Sequence, residues 1–348
     1  MAAYTTINKP TLHFNTKLYT GNGSYGHAIT GVGFQPDWVW IKRRDGGARN
    51  PELYDAVRGT DKAIYSNSNA VEATGVNLLH SFDSDGFTVD DHAGINSSNN
   101  FASWNWKAGG GAGSSNTDGS INTTSTSVNA TAGFSISKYT GTGSNATIGH
   151  GLGVAPKMIF TKQLGQSRDW GVYHIAAGNG RYMNLNGNGG ETNSSTHWQS
   201  TSPTTSVFSV GTSDQVNKSA GVYVAYCFAE VRGYSKIGYY QGNANADGPF
   251  IYTGFKPALI IIKSLSTNHW MMRDSKRPGY NVNQYKLFAD RDVDENTDTS
   301  NKMDFLSNGF KCRETNTEQN GSGTYYAYYA VAEKALVDTT GKIPGTAV

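Results

Sequence analysis

A decapeptide written three times constrains this chain more than any other feature. GFQPDWVWIK runs from Gly33 to Lys42, returns as GVAPKMIFTK from Gly153 to Lys162, and returns again as GFKPALIIIK from Gly254 to Lys263. Other anchors keep the same step. Tyr19, Tyr139 and Tyr240, each opening a Tyr-x-Gly, lie 120 and 101 residues apart, and Pro36, Pro156 and Pro257 repeat those intervals. Phe87, Phe208 and Phe310 follow at 121 and 102, and Phe101, Tyr223 and Tyr326 at 122 and 103. Independent anchors in step mean three copies of one unit. A unit of about 100 residues has the size of a small β-sandwich and is too long for a solenoid rung.

The reading is therefore all-β: three tandem β-sandwich, jelly-roll-like repeats over residues 1–108, 134–233 and 234–348, the last with a C-terminal tail. Residues 109–133 join the first two. GGGAGSSNTDGSINTTSTSVNATAG begins as a flexible Gly/Ser linker, while its second half, Ser120 to Val128, alternates loosely and suits an extra edge strand. Composition agrees with this class. There are 42 glycines, 20 tyrosines and 7 tryptophans, and only 16% of residues are charged. Aromatic and β-branched runs broken by Gly, Asn, Ser and Thr are strand and turn chemistry. The best helical segment is a short piece at Glu333 to Val337.

In the decapeptide, Gly-Phe-x-Pro reads as a turn and the next four residues as a strand. Both faces of Trp38-Val39-Trp40-Ile41 and of Leu259-Ile260-Ile261-Ile262 are apolar, although a sandwich strand normally hides one face. Such a strand needs a second cover: a loop, a neighbouring repeat or another subunit. Lys42, Lys162 and Lys263 are expected to end it in solvent. In the closing strands FASWNW, YVAYCF and YAYYAV, alternation puts Trp104 and Trp106 on one face and Phe101 on the other, as core packing.

A net charge of +2 supplies no basic field for nucleic acid. No apolar run reaches the roughly 18 residues of a membrane helix. MAAYTTINKP lacks the pattern of a signal peptide. Cys227 and Cys312 stand at non-equivalent places and read as buried free thiols. GNGSYG, Gly21 to Gly26, matches G-x-G-x-x-G but lacks the helix a dinucleotide site needs, so it reads as a loop. Asp290-Arg291-Asp292-Val293-Asp294 has the first spacings of a calcium loop but Glu295 at the glycine position and Asn301 at the closing acid, so a solvated loop is expected. No acid, base or nucleophile recurs across the copies. No catalytic residue, cofactor or metal ligand is expected. Binding specificity is expected in the loops that differ between copies, with Tyr182, His197, Trp198 and His269 as exposed candidates.

TKLYTGNGS, ITGVGFQPDWVWIKRRD, LYDAVRG, FDSDGFTVD and ASWNWKAGG resemble the repeated segments of tail-fibre-like virion structural proteins of marine tailed phages, cyanophages and their relatives in particular. ATAGFSISKYTGTGSNATIGHGLGVAPKMI resembles their second unit. The likeness covers most of residues 12–233 and extends more weakly to the third repeat. It implies residence in a virion assembled in the host cytoplasm, alongside other virion proteins of tail or capsid. The chain departs from a typical fibre, since Tyr19 opens the first repeat almost at once and no heptads or short-period β-shaft follow. The expectation is a non-enzymatic appendage that meets a host glycan or protein through its variable loops, self-associating with trimeric symmetry. The alternatives are a capsid decoration or vertex protein, and a glycan-binding or glycan-cleaving module.

Overall fold

The computed structural model describes residues 5–299 and 301–337, almost all of them in antiparallel sheets and their connections. One strand order occurs three times. In the first repeat the large sheet runs Phe14–Thr20, Asn100–Trp106, Trp38–Arg43, Glu52–Asp55, Gly59–Tyr65. In the second it runs Phe134–Thr140, Val222–Phe228, Met158–Gln163, Gly171–His174, Arg181–Asn184. In the third it runs Ser235–Gln241, Tyr325–Ala335, Phe255–Ser264, Met271–Asp274, Leu287–Phe288. Each large sheet faces a small one, built on the pairs His27–Thr30 with Gly86–Val89, Ala146–Gly149 with Val207–Val210, and Phe250–Tyr252 with Gly309–Cys312. Within 109–133, Ser125–Asn129 pairs with Phe134–Thr140 as an added edge strand. The glycines before it are held, not free: the Asp37 carboxylate accepts the backbone N–H groups of Ala108, Gly110 and Gly111 at 2.7, 3.0 and 2.6 Å.

The thrice-written peptide follows from backbone geometry. Gly33, Gly153 and Gly254 have φ of +92°, +72° and +84°, a left-handed turn that favours glycine, and the proline three residues on steers the chain into the strand. The glycine of Tyr-x-Gly has another reason. A Cβ on Gly21, Gly141 or Gly242 would lie 2.1, 2.4 or 2.4 Å from the carbonyl oxygen of Ser97, Lys218 or Gly321, inside any tolerable contact.

The second cover of the doubly apolar strands is the neighbouring repeat. Val39, Ile41 and Phe101 pack toward their own small sheet with Ile29 and Phe87. Trp38, Trp40, Trp104 and Trp106 point the other way, into one central core shared with Phe134, Phe160, Tyr226 and Phe228 of the second repeat and Leu259, Ile261 and Tyr329 of the third. Trp38 stacks on Tyr226 at 4.6 Å and on Phe134 at 5.6 Å, and Phe228 meets Tyr329 at 5.0 Å. Three large sheets thus converge on a pseudo-three-fold axis inside one chain. The apolar faces that called for a partner find it within the same polypeptide.

The repeated lysines correct one expectation. Lys42, Lys162 and Lys263 are buried, each at 1% exposure or less. Each Nζ donates to a carbonyl of its own loop and to one from the preceding repeat's loop, the third preceding the first around the ring. Lys42 bonds Arg49 O at 2.6 Å and Asp292 O at 2.8 Å; Lys162 bonds Arg168 O at 3.0 Å and Asn69 O at 3.2 Å; Lys263 bonds Asn268 O at 2.5 Å and Asn188 O at 3.0 Å. Beside each lysine the same loops are tied by backbone bonds: Glu72 N to Leu164 O, Glu191 N to Leu265 O, and Glu295 N to Arg44 O. Repeat one clasps two, two clasps three, and three clasps one, so the ring is closed. A lysine whose partner lies up to 250 residues away cannot be distinguished by local pattern from one that ends a strand in water. Burial lowers all three ammonium groups to about 8.

Two further expectations are corrected. The acidic loop 290–294 is not a free solvated loop: Asp292 O holds Lys42 and the Asp294 carboxylate accepts the Gly47 N–H at 3.0 Å. The segment at Glu333 is not helical, because strand Tyr325–Ala335 continues through it. Phe255 pairs with Ala335 and Lys256 with Lys334, and Lys256 forms an ion pair with Glu333 at 3.1 Å. Helix-forming Ala, Glu and Lys yield to a ladder already nucleated upstream.

Candidate functional site

Strand direction sorts the loops onto two ends. At one end lie the chain's passages between repeats, around Asp37, Lys107 to Gly111, and Ala229 to Tyr234. At the other lie the Tyr-x-Gly loops, the loops after the repeated lysines, and the three clasps. Gly21 N bonds Asn99 O, Gly141 N bonds Gly221 O, and Gly242 N bonds Thr324 O at that end. This loop end carries side chains that differ between repeats, while the connections that differ most in length, 56–58, 175–180 and 275–286, lie at the other end.

A residue missed in the sequence holds each of these loops. Asn96, Asn217 and Asn320 are fully buried. Each side-chain Oδ1 accepts the N–H following the glycine, from Asn22 at 2.9 Å, Thr142 at 2.8 Å and Asn243 at 2.9 Å. Each Nδ2 donates to the carbonyl two residues further on, Ser24, Ser144 or Asn245, at 2.8, 2.5 and 2.8 Å. Beside them the tyrosine of Tyr-x-Gly stacks on the closing strand's aromatic, Tyr19 on Phe101, Tyr139 on Tyr223 and Tyr240 on Tyr326, all within 5.1–5.2 Å. The signal was available, since the three asparagines lie 121 and 103 residues apart, in step with the aromatic anchors.

The four residues expected in exposed loops divide differently. Tyr182, His197 and Trp198 come together on the flank of the second repeat. Tyr182 stacks flat on His197 at 3.6 Å, and His197 bonds Ser194 Oγ at 2.7 Å, Ser213 Oγ at 3.2 Å and Gln215. His197 and Trp198 are buried, at 6% and 2% exposure, which corrects their expected accessibility. The short helix Ser195–Trp198 places both side chains inward beneath Tyr182. Burial lowers the His197 pKa, with the bond to Gln215 opposing it. His269 lies apart, in the third repeat. Its Nδ1 meets the Asp290 carboxylate at 2.7 Å, and that carboxylate also accepts the Trp270 N–H at 3.0 Å. The pair ties one loop to the next, as Asn186 Nδ2 to Asp169 Oδ1 does in the second repeat at 2.8 Å.

Other buried charges, at equivalent places in the repeats, serve packing contacts. Asp55 pairs with Arg58 at 2.5 Å and Asp274 with Arg277 at 2.6 Å. Each aspartate also receives a bond from another repeat, Tyr226 Oη to Asp55 at 2.6 Å and Trp104 Nε1 to Asp274 at 3.1 Å. At the matching place in the second repeat, His174 Nε2 meets Tyr328 O of the third at 3.2 Å. Burial lowers the His174 pKa to about 4. Among the described residues no group of three or more His, Cys, Asp or Glu is arranged to hold a metal ion.

At the loop end of the first repeat one arrangement is open to solvent. Tyr25 is 64% exposed and meets the His80 ring edge-on at 5.4 Å. His80 Nδ1 faces the Asp90 carboxylate at 3.3 Å, and the other oxygen of Asp90 accepts the Gly26 N–H at 3.1 Å.

Residues 9–335 match a family described as a domain of unknown function (DUF7483), and the chain belongs to that family. No curated protein matches the chain.

Proposed function

We propose that the protein is a non-enzymatic structural protein of a phage virion, an appendage of the tail-fibre kind that contacts the host surface through its loop end. The supporting observation is the two-ended ring. What repeats in the chain serves packing, clasps and turns, and at one end loops whose side chains differ between repeats are fixed by Asn96, Asn217 and Asn320. A rigid scaffold that displays divergent loops is a binding architecture. The likeness of the repeated segments to phage virion proteins supports placement in the particle. Two buried free thiols suit assembly in a reducing host cytoplasm.

One chain, in this reading, is the three-fold unit. Another subunit is one of the covers the doubly apolar strands allow, and the central core supplies a cover within a single polypeptide. Other virion proteins then dock at the joint end. Quantitative mass spectrometry of purified particles tests the proposal. The expected result is a copy number in proportion to tail components. Copies in proportion to the capsid lattice would favour a decoration protein, and absence from particles would overturn both.

A further inference from the structure

We infer that Tyr25 and His80 form a carbohydrate-binding corner that takes a pyranose by its apolar face. The inference deepens the host-contact reading and rests on it for its biological setting.

Tyr25 has no part in the fold. Tyr25 is 64% exposed, and among the described residues its one ring contact is His80 and it belongs to no buried cluster. The matching positions in the other Tyr-x-Gly loops are Asn145 and Ala246, so the scaffold does not require an aromatic there. Yet the ring is presented on a fixed backbone. Asn22 N–H bonds Asn96 Oδ1 at 2.9 Å, Ser24 N–H bonds Asn22 Oδ1 at 2.8 Å, Asn96 Nδ2 bonds Ser24 O at 2.8 Å, and Gly26 N–H bonds Asp90 at 3.1 Å. Tyr25 lies between these ties, so binding would order little of the backbone.

The second wall is His80, whose ring stands at 77° to Tyr25 and whose side chain is 45% exposed. Asp90, almost fully buried, holds Nδ1 and orients the imidazole. With Nδ1 directed at the carboxylate, Nε2 is left as a polar atom for a ligand hydroxyl. Neither Nε2 of His80 nor the hydroxyl of Tyr25 has a hydrogen-bond partner among the described residues. The corner thus combines one open aromatic face with two unengaged polar atoms at its rim. A pyranose matches this chemistry: a patch of axial C–H groups for the ring face, and hydroxyls around it for Nε2 and the phenol. A protein hot spot would instead call for a deep apolar pocket enclosing an anchor side chain.

The test is saturation-transfer NMR of the purified chain with methyl glycosides of glucose, galactose, mannose, fucose and N-acetylglucosamine as probes. Transfer to the protons of one pyranose face is expected for at least one probe. Tyr25→Ala should weaken binding by about tenfold or more and His80→Ala by a smaller factor. Tyr252→Ala, an exposed tyrosine of the third repeat, should leave it unchanged. Circular dichroism checks that each variant is folded. No transfer to any probe, or transfer that survives Tyr25→Ala, overturns the inference. Either result leaves the host-contact reading standing, because particle stoichiometry tests that separately. Transfer that vanishes in Tyr25→Ala establishes the corner even if the protein proves absent from particles.

Discussion

Replacing Asn217 with alanine should cost about 3–5 kcal/mol of stability, a large share of the 5–15 kcal/mol that holds a typical domain. The side chain is fully buried and makes three hydrogen bonds, from Thr142 N–H at 2.8 Å, to Ser144 O at 2.5 Å and to Gly211 O at 2.8 Å. Truncation orphans one donor and two acceptors. Thr142 and Ser144 lie in an exposed loop, where water can replace the lost partner, so each is worth about 1 kcal/mol. Gly211 is buried and its carbonyl costs roughly 1–3 kcal/mol when left bare. Urea unfolding followed by tryptophan fluorescence gives the total, and hydrogen exchange at the Thr142 amide gives the local effect. Asn217→Asp is a second probe. It keeps the acceptor for Thr142, removes both donors and places a charge in a buried site, so it should cost at least as much. A loss under about 1 kcal/mol in Asn217→Ala, or unchanged exchange at Thr142, would refute the reasoning that these asparagines fix the loop end.

Lys42, Lys162 and Lys263 should resist acetylation in the folded protein at pH 8.5 while exposed Lys9 and Lys276 react, read by peptide mass spectrometry. Their lowered pKa makes them the better nucleophiles, so protection would report burial and labelling would contradict the clasps. Acid should weaken the contact between the second and third repeats. His174 is neutral in the fold, with a pKa near 4 against 6.5 when free, so unfolding takes up a proton between those values. The stability it contributes is complete above about pH 6.5 and is lost as pH falls toward 4, by up to roughly 3 kcal/mol. His174→Gln should flatten that part of the stability profile, and an unchanged acid slope would count against the assignment.

Much of the scaffold was legible because repetition marks it. The intervals between Tyr-x-Gly, proline and aromatic anchors reveal three equivalent units, and alternation alone puts Trp104 and Trp106 opposite Phe101. What stayed hidden are contacts between units. Lys162 finds Asn69 and Lys263 finds Asn188 through the closed ring, and no local pattern records that geometry. The same blindness made His197 and Trp198 read as surface residues, since polarity in a loop does not show that Tyr182 lies over the imidazole. Glu333 read as helix because Ala, Glu and Lys favour helices in isolation, while the ladder with Lys256 and Phe255 decides otherwise. The asparagine triplet was legible by its spacing and was overlooked because asparagine is common in turns. Tyr25 stands out only once its exposure and the fixed loop beneath it are seen.

The most direct test of the two-ended account is adsorption to host cells by chains blocked at one end. Cys227 and Cys312 are buried, and burial raises both thiols, so a maleimide polymer can be directed to introduced cysteines alone. Asn145→Cys and Asn245→Cys place the polymer at the loop end, and Thr131→Cys places it at the joint end. The account predicts that labelled protein loses host-cell binding when blocked at the loop end and keeps it when blocked at the joint end. Binding that survives the loop-end polymer and fails with the joint-end polymer would contradict it.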